Sequence, residues 1–284
     1  MSVKIIQERL NSYNCRSAQE EENAIREITQ EIALSALARA GFFEKAAFQG
    51  GTALRVFYGM ERFSEDLDFI LQKPQADFDL NVYLKNLRLE FEAYGYQMEV
   101  IDRSRASETV KKGFLKDDSL VKILSLGHLK PDRSARKIVV KLEVDTNPPA
   151  GSGFENKFLD FPFPVSVTVQ DLPSLFAGKS HALLCREYVK GRDWYDFIWY
   201  AARRTPLNLV FFSSAINQIG PWKDKKIAVD MGWYKEQFRK KITSVNWEEV
   251  KKDLSRFLKP RHLADIKGWN SAFFLEYLAK VPEA

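Results

Sequence analysis

Residues Phe48 to Leu71 read FQGGTALRVFYGMERFSEDLDFIL. A short apolar run, Ala46 to Phe48, leads into Gly50 and Gly51, where glycine lets the backbone take a positive φ and approach a ligand closely. Thr52 is a good N-cap for a helix running to about Tyr58, so free N–H groups gather at the turn and can hold a phosphate. From Asp66 the run DLDFIL alternates as a strand, with Asp66 and Asp68 on one face and Leu67 and Phe69 on the other. Adjacent carboxylates repel and resist burial unless a cation sits between them. Oxygen-only ligands suit Mg²⁺, which is commonly held by one or two carboxylates plus substrate phosphates. From the residues alone, the stretch is a phosphate-binding turn joined to a metal-binding strand.

The same residues resemble a known family. Gly50-Gly51-Thr52 followed by Ser64-Glu65-Asp66-Leu67-Asp68-Phe69 resembles the G-[S/T]…D-x-D signature of the polymerase-β-like nucleotidyltransferases. The wording GGT-x-L…R-x-SEDLDF is similar to that of the AbiEii-type branch, which includes the MenT toxins of toxin–antitoxin systems. A bare D-x-D is common and weak, whereas the full string is far more specific. The resemblance spans roughly residues 25–205.

Composition bounds the rest. At 284 residues the chain holds one large or two ordinary domains, and 45% hydrophobic with 29% charged residues is the balance of a globular protein. No run of about 18 apolar residues exists, and the first residues lack the apolar core of a signal peptide, so the expected location is the cytoplasm, with no membrane partner. Cys15 and Cys185 make no disulfide framework, and two cysteines with three histidines, spread along the chain, give no zinc-ligand spacing. Residues 171–284 carry 20 Lys and Arg against 13 Asp and Glu, while residues 1–170 carry 23 against 25. A basic C-terminal part fits a polyanion such as RNA, although lysine-rich helices are also ordinary solvated faces.

The fold class expected is α+β. Glu20 to Ala40 has helical spacing, with Gly41 as its stop. A second helix is expected over about Phe78 to Tyr94, a strand over Gln97 to Asp102, a polar and basic loop or hairpin over 103–117, and a renewed apolar pattern over 119–126. KIVVKLEVD, Lys137 to Asp145, is the clearest strand, with Lys141, Glu143 and Asp145 sharing one face. Glycine and proline break the chain at 147–153, and Pro164 to Val169 alternates again. From Asp171 the pattern is helical to the end: near Leu172 to Leu184, Lys190 to Arg203, Asn208 to Ile219, Trp233 to Ile242, Trp247 to Leu258 and Trp269 to Leu278. The division expected is a nucleotidyltransferase domain over 1–170, a mixed sheet flanked by helices, and a basic helical bundle over 171–284 that closes the active-site cleft.

The resemblance also implies a constellation. A third acid sits on a strand read K-x-D in the family, matched here by Lys141-Leu142-Glu143 with Glu for Asp; Asp145 on the same face is the alternative metal ligand, and a surface ladder of ion pairs is the plain one. Lys179 in LFAGKSHALL falls in the family's A-x-K-x-x-A-L helix, where an ammonium suits the triphosphate. Lys190-Gly191-Arg192-Asp193-Trp194-Tyr195-Asp196 matches K-x-R-D-x-x-D, a motif that borders the nucleotide site; Asp193 is its catalytic candidate, and Arg192 and Asp196 have a structural reading as well. Trp194, Tyr195 and Trp199 read as core. Ser64 is expected to brace the strand entry, and Arg55 and Arg62 are candidate phosphate ligands. The implied catalytic set is thus Asp66, Asp68, Lys179 and Asp193. Gly50, Gly51, Thr52, Ser64, Lys179, Lys190 and Arg192 would bind the nucleotide, and Asp66, Asp68, Glu143 and Asp145 the metal.

What the resemblance implies is a Mg²⁺-dependent enzyme, with Mn²⁺ a possible substitute. It would move NMP from an NTP to an RNA acceptor, the tRNA 3′ end, as a toxin that blocks translation and answers to a cognate antitoxin. A nucleotidyltransferase acting on a protein or small molecule is the first alternative. A catalytically inactive NTP- or RNA-binding module is the second.

Overall fold

The computed structural model describes residues 2–97, 99–102, 109–117, 124–128, 138–258 and 262–283, without the side chains of residues 2, 100 and 117. They form two compact units. The first takes Met1–Phe57, Ser64–Pro148 and Asn156–Val169; the second takes Tyr58–Phe63, Pro149–Glu155 and Gln170–Ala284.

The first unit opens with two helices, α1 (Ser2–Ser12) and α2 (Ala18–Arg39). α2 starts two residues before the expected Glu20 because the Ser17 side chain accepts from the Glu20 amide and caps it. Next come β1 (Ala46–Gln49), α3 (Gly50–Tyr58), β2 (Leu67–Leu71), α4 (Asn81–Ala93), β3 (Glu99–Asp102), β4 (Val110–Asp117), β5 (Ile138–Asp145), β6 (Phe154–Leu159) and β7 (Val165–Gln170). The seven strands make one mixed sheet in the order β3-β4-β5-β2-β1-β7-β6. β2 runs parallel to β5 and antiparallel to β1, and β4 is antiparallel to both β3 and β5. β2 and β5 therefore lie side by side inside the sheet, flanked by β1 and β4. Apolar residues of β1 and β2 close on the buried Phe42, whose ring centroid lies 4.9 Å from those of both Phe69 and Tyr83.

Two expectations change here. The basic segment 103–117 is expected as a loop or hairpin; its described part, Val110–Asp117, is a full strand with partners on both sides. Its charges hid it, because only Lys112 and Lys116 alternate with the buried Gly113 and Leu115, while Lys111 breaks the pattern: a Cβ on Gly113 would meet Leu84 at 3.0 Å. β6, FENKFL, was not expected at all, since an edge strand need bury little and tolerates polar residues on both faces. Residues 103–108, residue 98 and most of the apolar stretch at 119–126 lie outside the described residues.

The second unit holds α5 (Leu172–Cys185), α6 (Gly191–Ala202), α7 (Leu209–Gln218), α8 (Met231–Ser244), α9 (Trp247–Ser255) and α10 (Ser271–Ala279). Asx caps set most of their starts: Asp171, Asn208, Asp230, Asn246 and Asn270 each accept from a backbone amide two or three residues on. Apolar and aromatic faces make the core, with Trp194, Phe197, Tyr234, Phe238 and Phe274 buried and Trp247 stacked on Phe274 at 4.1 Å. Trp194 and Trp199 are thus core residues, as expected. α6 approaches α9 so closely that a Cβ on Gly191 would lie 2.3 Å from the Val250 carbonyl. Among the described residues no helix is long and apolar enough to cross a membrane.

Candidate active site

The two halves of the opening stretch meet at Gly50. Its φ is +79°, and a Cβ there would sit 2.6 Å from Oδ2 of Asp68. Glycine is required twice over, for the left-handed backbone and for the space that the carboxylate fills. Gly51 is buried in the first turn and needs no such conformation. Thr52 is not the N-cap: α3 already starts at Gly50, which places Thr52 inside the first turn. Its hydroxyl instead donates to the Asp66 carbonyl at 2.5 Å, pinning the helix start to the mouth of the acidic strand. Ser64, half-buried, braces that entry through its carbonyl, which accepts from Gln30 Nε2 at 3.2 Å.

Gly50→Ala is accordingly expected to displace Asp68 and to slow any reaction that uses this carboxylate at least about tenfold, with a stability loss of about 1–2 kcal/mol from the strained φ. Single-turnover rates and thermal melts test this. A variant with the wild-type rate would show that the Asp68 position is unimportant.

Strand pairing then extends the site sideways. Asp68 of β2 is in register with Glu143 of β5 on one side and Gln49 of β1 on the other. Asp145 stands opposite Ile70, one pleat repeat further along, and accepts from the Asn147 amide at 2.9 Å. Burial pushes the Asp145 carboxyl up. Of the two acids open from sequence, Glu143 is the one beside Asp68. Its oxygens face Lys141 Nζ at 2.8 Å and Lys112 Nζ at 3.1 Å. Burial alone would raise its pKa, but these two ammonium groups hold the carboxyl below its usual range. Burial likewise pulls Lys141 down, and Glu143, Asp66 and Asp68 outweigh it to raise its pKa. Among the described residues no three His, Cys, Asp or Glu side chains form a group that could hold a metal ion by themselves. Asp66, expected as the first residue of the strand, lies one residue before β2; it and Asp68 still supply oxygen ligands that fit a hard cation, since two carboxylates plus substrate phosphates are a usual Mg²⁺ set.

The second unit carries its own charged cluster. Lys179 Nζ lies 2.7 Å from Asp193 Oδ1 and 2.9 Å from Asp196 Oδ2. Arg186 pairs with the other oxygen of Asp193. Arg62 forks onto Asp196 with two bonds of 2.6 Å, both side chains fully buried. Burial would raise the Asp193 pKa and lower that of Lys179; the reciprocal charges win, so Asp193 is held low and Lys179 high. Lys190 precedes α6, and burial, its largest influence, lowers its pKa. Arg192 lies over the Phe257 ring at 3.9 Å. A cavity of about 270 Å³ adjoins the cluster, its wall including Arg186, Lys190, Asp193, Trp194, Lys241 and Asn246.

Arg62 and Arg55, candidate phosphate ligands by sequence, both have carboxylate partners: Arg55 pairs with Glu27 at 2.8 Å. Arg186, Lys241 and Lys112 were missed. None falls in a motif, and each gains its place only through pairing or packing across the fold.

Residues 32–275 match the family described as "Nucleotidyl transferase AbiEii toxin, Type IV TA system". The chain belongs to the AbiEii family. The AbiEii chain is also similar in fold to MenT4, a nucleotidyltransferase toxin from Mycobacterium tuberculosis, at 16% identity and a TM-score of 0.51, covering 97% of this chain and 99% of that one. JHP933 from Helicobacter pylori matches at 15% identity and a TM-score of 0.50, covering 92% and 94%. No curated protein matches the sequence. The mixed sheet with its flanking helices is the α+β architecture expected, and the protein is a nucleotidyltransferase of a toxin–antitoxin family. AbiEii-type enzymes take an NTP and a divalent metal, and the family implies a cognate antitoxin.

Proposed function

We propose that the protein is a Mg²⁺-dependent toxin that transfers NMP from an NTP to RNA, at the tRNA 3′ end, and so blocks translation in the cytoplasm. The observation that carries this reading is Asp68 set against Gly50, two residues after Asp66, with Glu143 in register beside it.

Asp66 and Asp68 would hold the divalent cation, with Glu143 as the neighbouring third acid. Such a cation would supply positive charge against the phosphates. Gly50, Gly51 and Thr52 bring amides and a close backbone approach to the phosphates. A carboxylate of the acidic edge takes the acceptor's hydroxyl proton as that oxygen attacks the α-phosphorus, and the bond to the pyrophosphate oxygen breaks. Lys179 supplies positive charge for the leaving group, and Asp193 keeps that ammonium charged and in place. Lys190 and Arg192 add to nucleotide binding. The basic helices of 171–284 suit an RNA backbone, a contact that is salt-sensitive and largely indifferent to sequence.

The test is incubation with each α-labelled NTP, Mg²⁺ and total tRNA, followed by RNase or protease. RNase-sensitive label that weakens with added salt is the expected result. Label that resists RNase and yields to protease would move the acceptor to protein, and no label with any NTP would favour a binding module.

A further inference from the structure

Four strands carry polar side chains in one row across the sheet. Lys112 on β4 is in register with Glu143 on β5, Glu143 with Asp68 on β2, and Asp68 with Gln49 on β1. Residues opposite one another in neighbouring strands point to the same face, so Lys112 belongs to the face of the acidic pair. Its ammonium reaches Glu143 Oε1 at 3.1 Å, and its side chain remains 33% exposed. Lys116 shares that face but pairs with Val139, four residues along β4, or about 13 Å away. Lys112 is therefore the β4 lysine at the level of Asp68.

Charge gives this placement a consequence. Asp66, Asp68 and Glu143 bring three negative charges, and one divalent cation leaves them net negative, which repels a triphosphate. Lys141 and Lys112 reverse that sign. An ammonium beside a metal site opposes cation binding but favours a polyanion, as a point charge with three donors. As an ion pair alone, Lys112–Glu143 would contribute little, since half-exposed pairs are weak.

We propose that Lys112 is a further substrate-binding residue, which takes a phosphate oxygen of the nucleotide's polyphosphate when Glu143 shares it. This rests on the reading of Asp66 and Asp68 as the metal edge. The chemical class bound is a polyphosphate, free or as part of an NTP.

Calorimetric titration with inorganic triphosphate in Mg²⁺ tests the assignment on the full chain. Lys112→Gln is expected to weaken triphosphate binding about tenfold, Lys112→Arg to retain most of it, and the kinetic loss in Lys112→Gln to fall on KM for the NTP. Mn²⁺ affinity read by paramagnetic resonance should not weaken in Lys112→Gln, and thermal melts of each variant confirm that it is folded. Triphosphate affinity within twofold of wild type in Lys112→Gln, with Mn²⁺ binding lost in Asp68→Asn, overturns the role of Lys112 alone. Mn²⁺ binding retained in Asp68→Asn overturns the metal edge itself and Lys112 with it.

Discussion

Asp68→Asn is expected to lower nucleotide transfer by about three orders of magnitude while leaving the fold intact. The exchange keeps the shape of the side chain against Gly50, where Oδ2 occupies the place a Cβ would take. What it removes is one of two negative charges on the face where a cation must sit, and several kcal/mol of charge stabilisation go with it, at about 1.4 kcal/mol per tenfold. Stability should stay level or rise slightly, because the exchange removes one of two like charges only two residues apart in the chain. Rates under saturating NTP and Mg²⁺, set beside a thermal melt, separate the two effects. A variant that keeps more than a tenth of the wild-type rate would remove Asp68 from the chemistry. Raising Mg²⁺ should not restore the rate, since a missing ligand charge differs from a merely weaker site.

The same residue shows how far sequence carries. GGT followed by SEDLDF names its own chemistry, because turn, helix start and acidic strand are contiguous, and two-residue alternation alone puts both aspartates on one face. Strand register is another matter. Nothing in KIVVKLEVD says which of Glu143 and Asp145 will stand beside Asp68; that depends on how β5 pairs with a strand some 75 residues earlier. Thr52 illustrates a local misreading: a threonine after two glycines looks like a cap, yet the helix begins at the first glycine and the hydroxyl turns to the Asp66 carbonyl. Lys112 sits in a stretch whose charges resemble a loop. Only its pairing with two strands makes it a sheet residue, and only then does it fall in line with Asp68. Element order follows from local spacing, whereas the place of a side chain such as Thr52, Glu143 or Lys112 depends on pairing that the spacing does not carry.

Arg62 is the sharpest case of that difference, and replacing it should give the largest loss of stability. An arginine just before an acidic motif reads as a phosphate ligand, but its guanidinium is 2% exposed and forks onto Asp196, which is 0% exposed and 134 residues away. Arg62→Met is expected to cost about 3–5 kcal/mol, because it leaves a buried carboxylate with less compensation than the fold was built around. For a chain of this size that is a fall in Tm of roughly 10 °C. Arg62→Lys should recover only part, since a single ammonium cannot reproduce the two-bond fork. Lys179 already spans Asp193 and Asp196, so it takes up some of the lost pairing and loosens its hold on Asp193. The double variant Arg62→Met/Asp196→Leu separates charge from packing. If buried, uncompensated charge is the cause, the pair of changes is less damaging than Arg62→Met alone; if the double is worse, Arg62 matters mainly as volume. Denaturant melts of the three variants decide it. An Arg62→Met variant within 1 kcal/mol of wild type, roughly the worth of an exposed pair, would mean that water reaches this ion pair and that Arg62 is available to a phosphate after all.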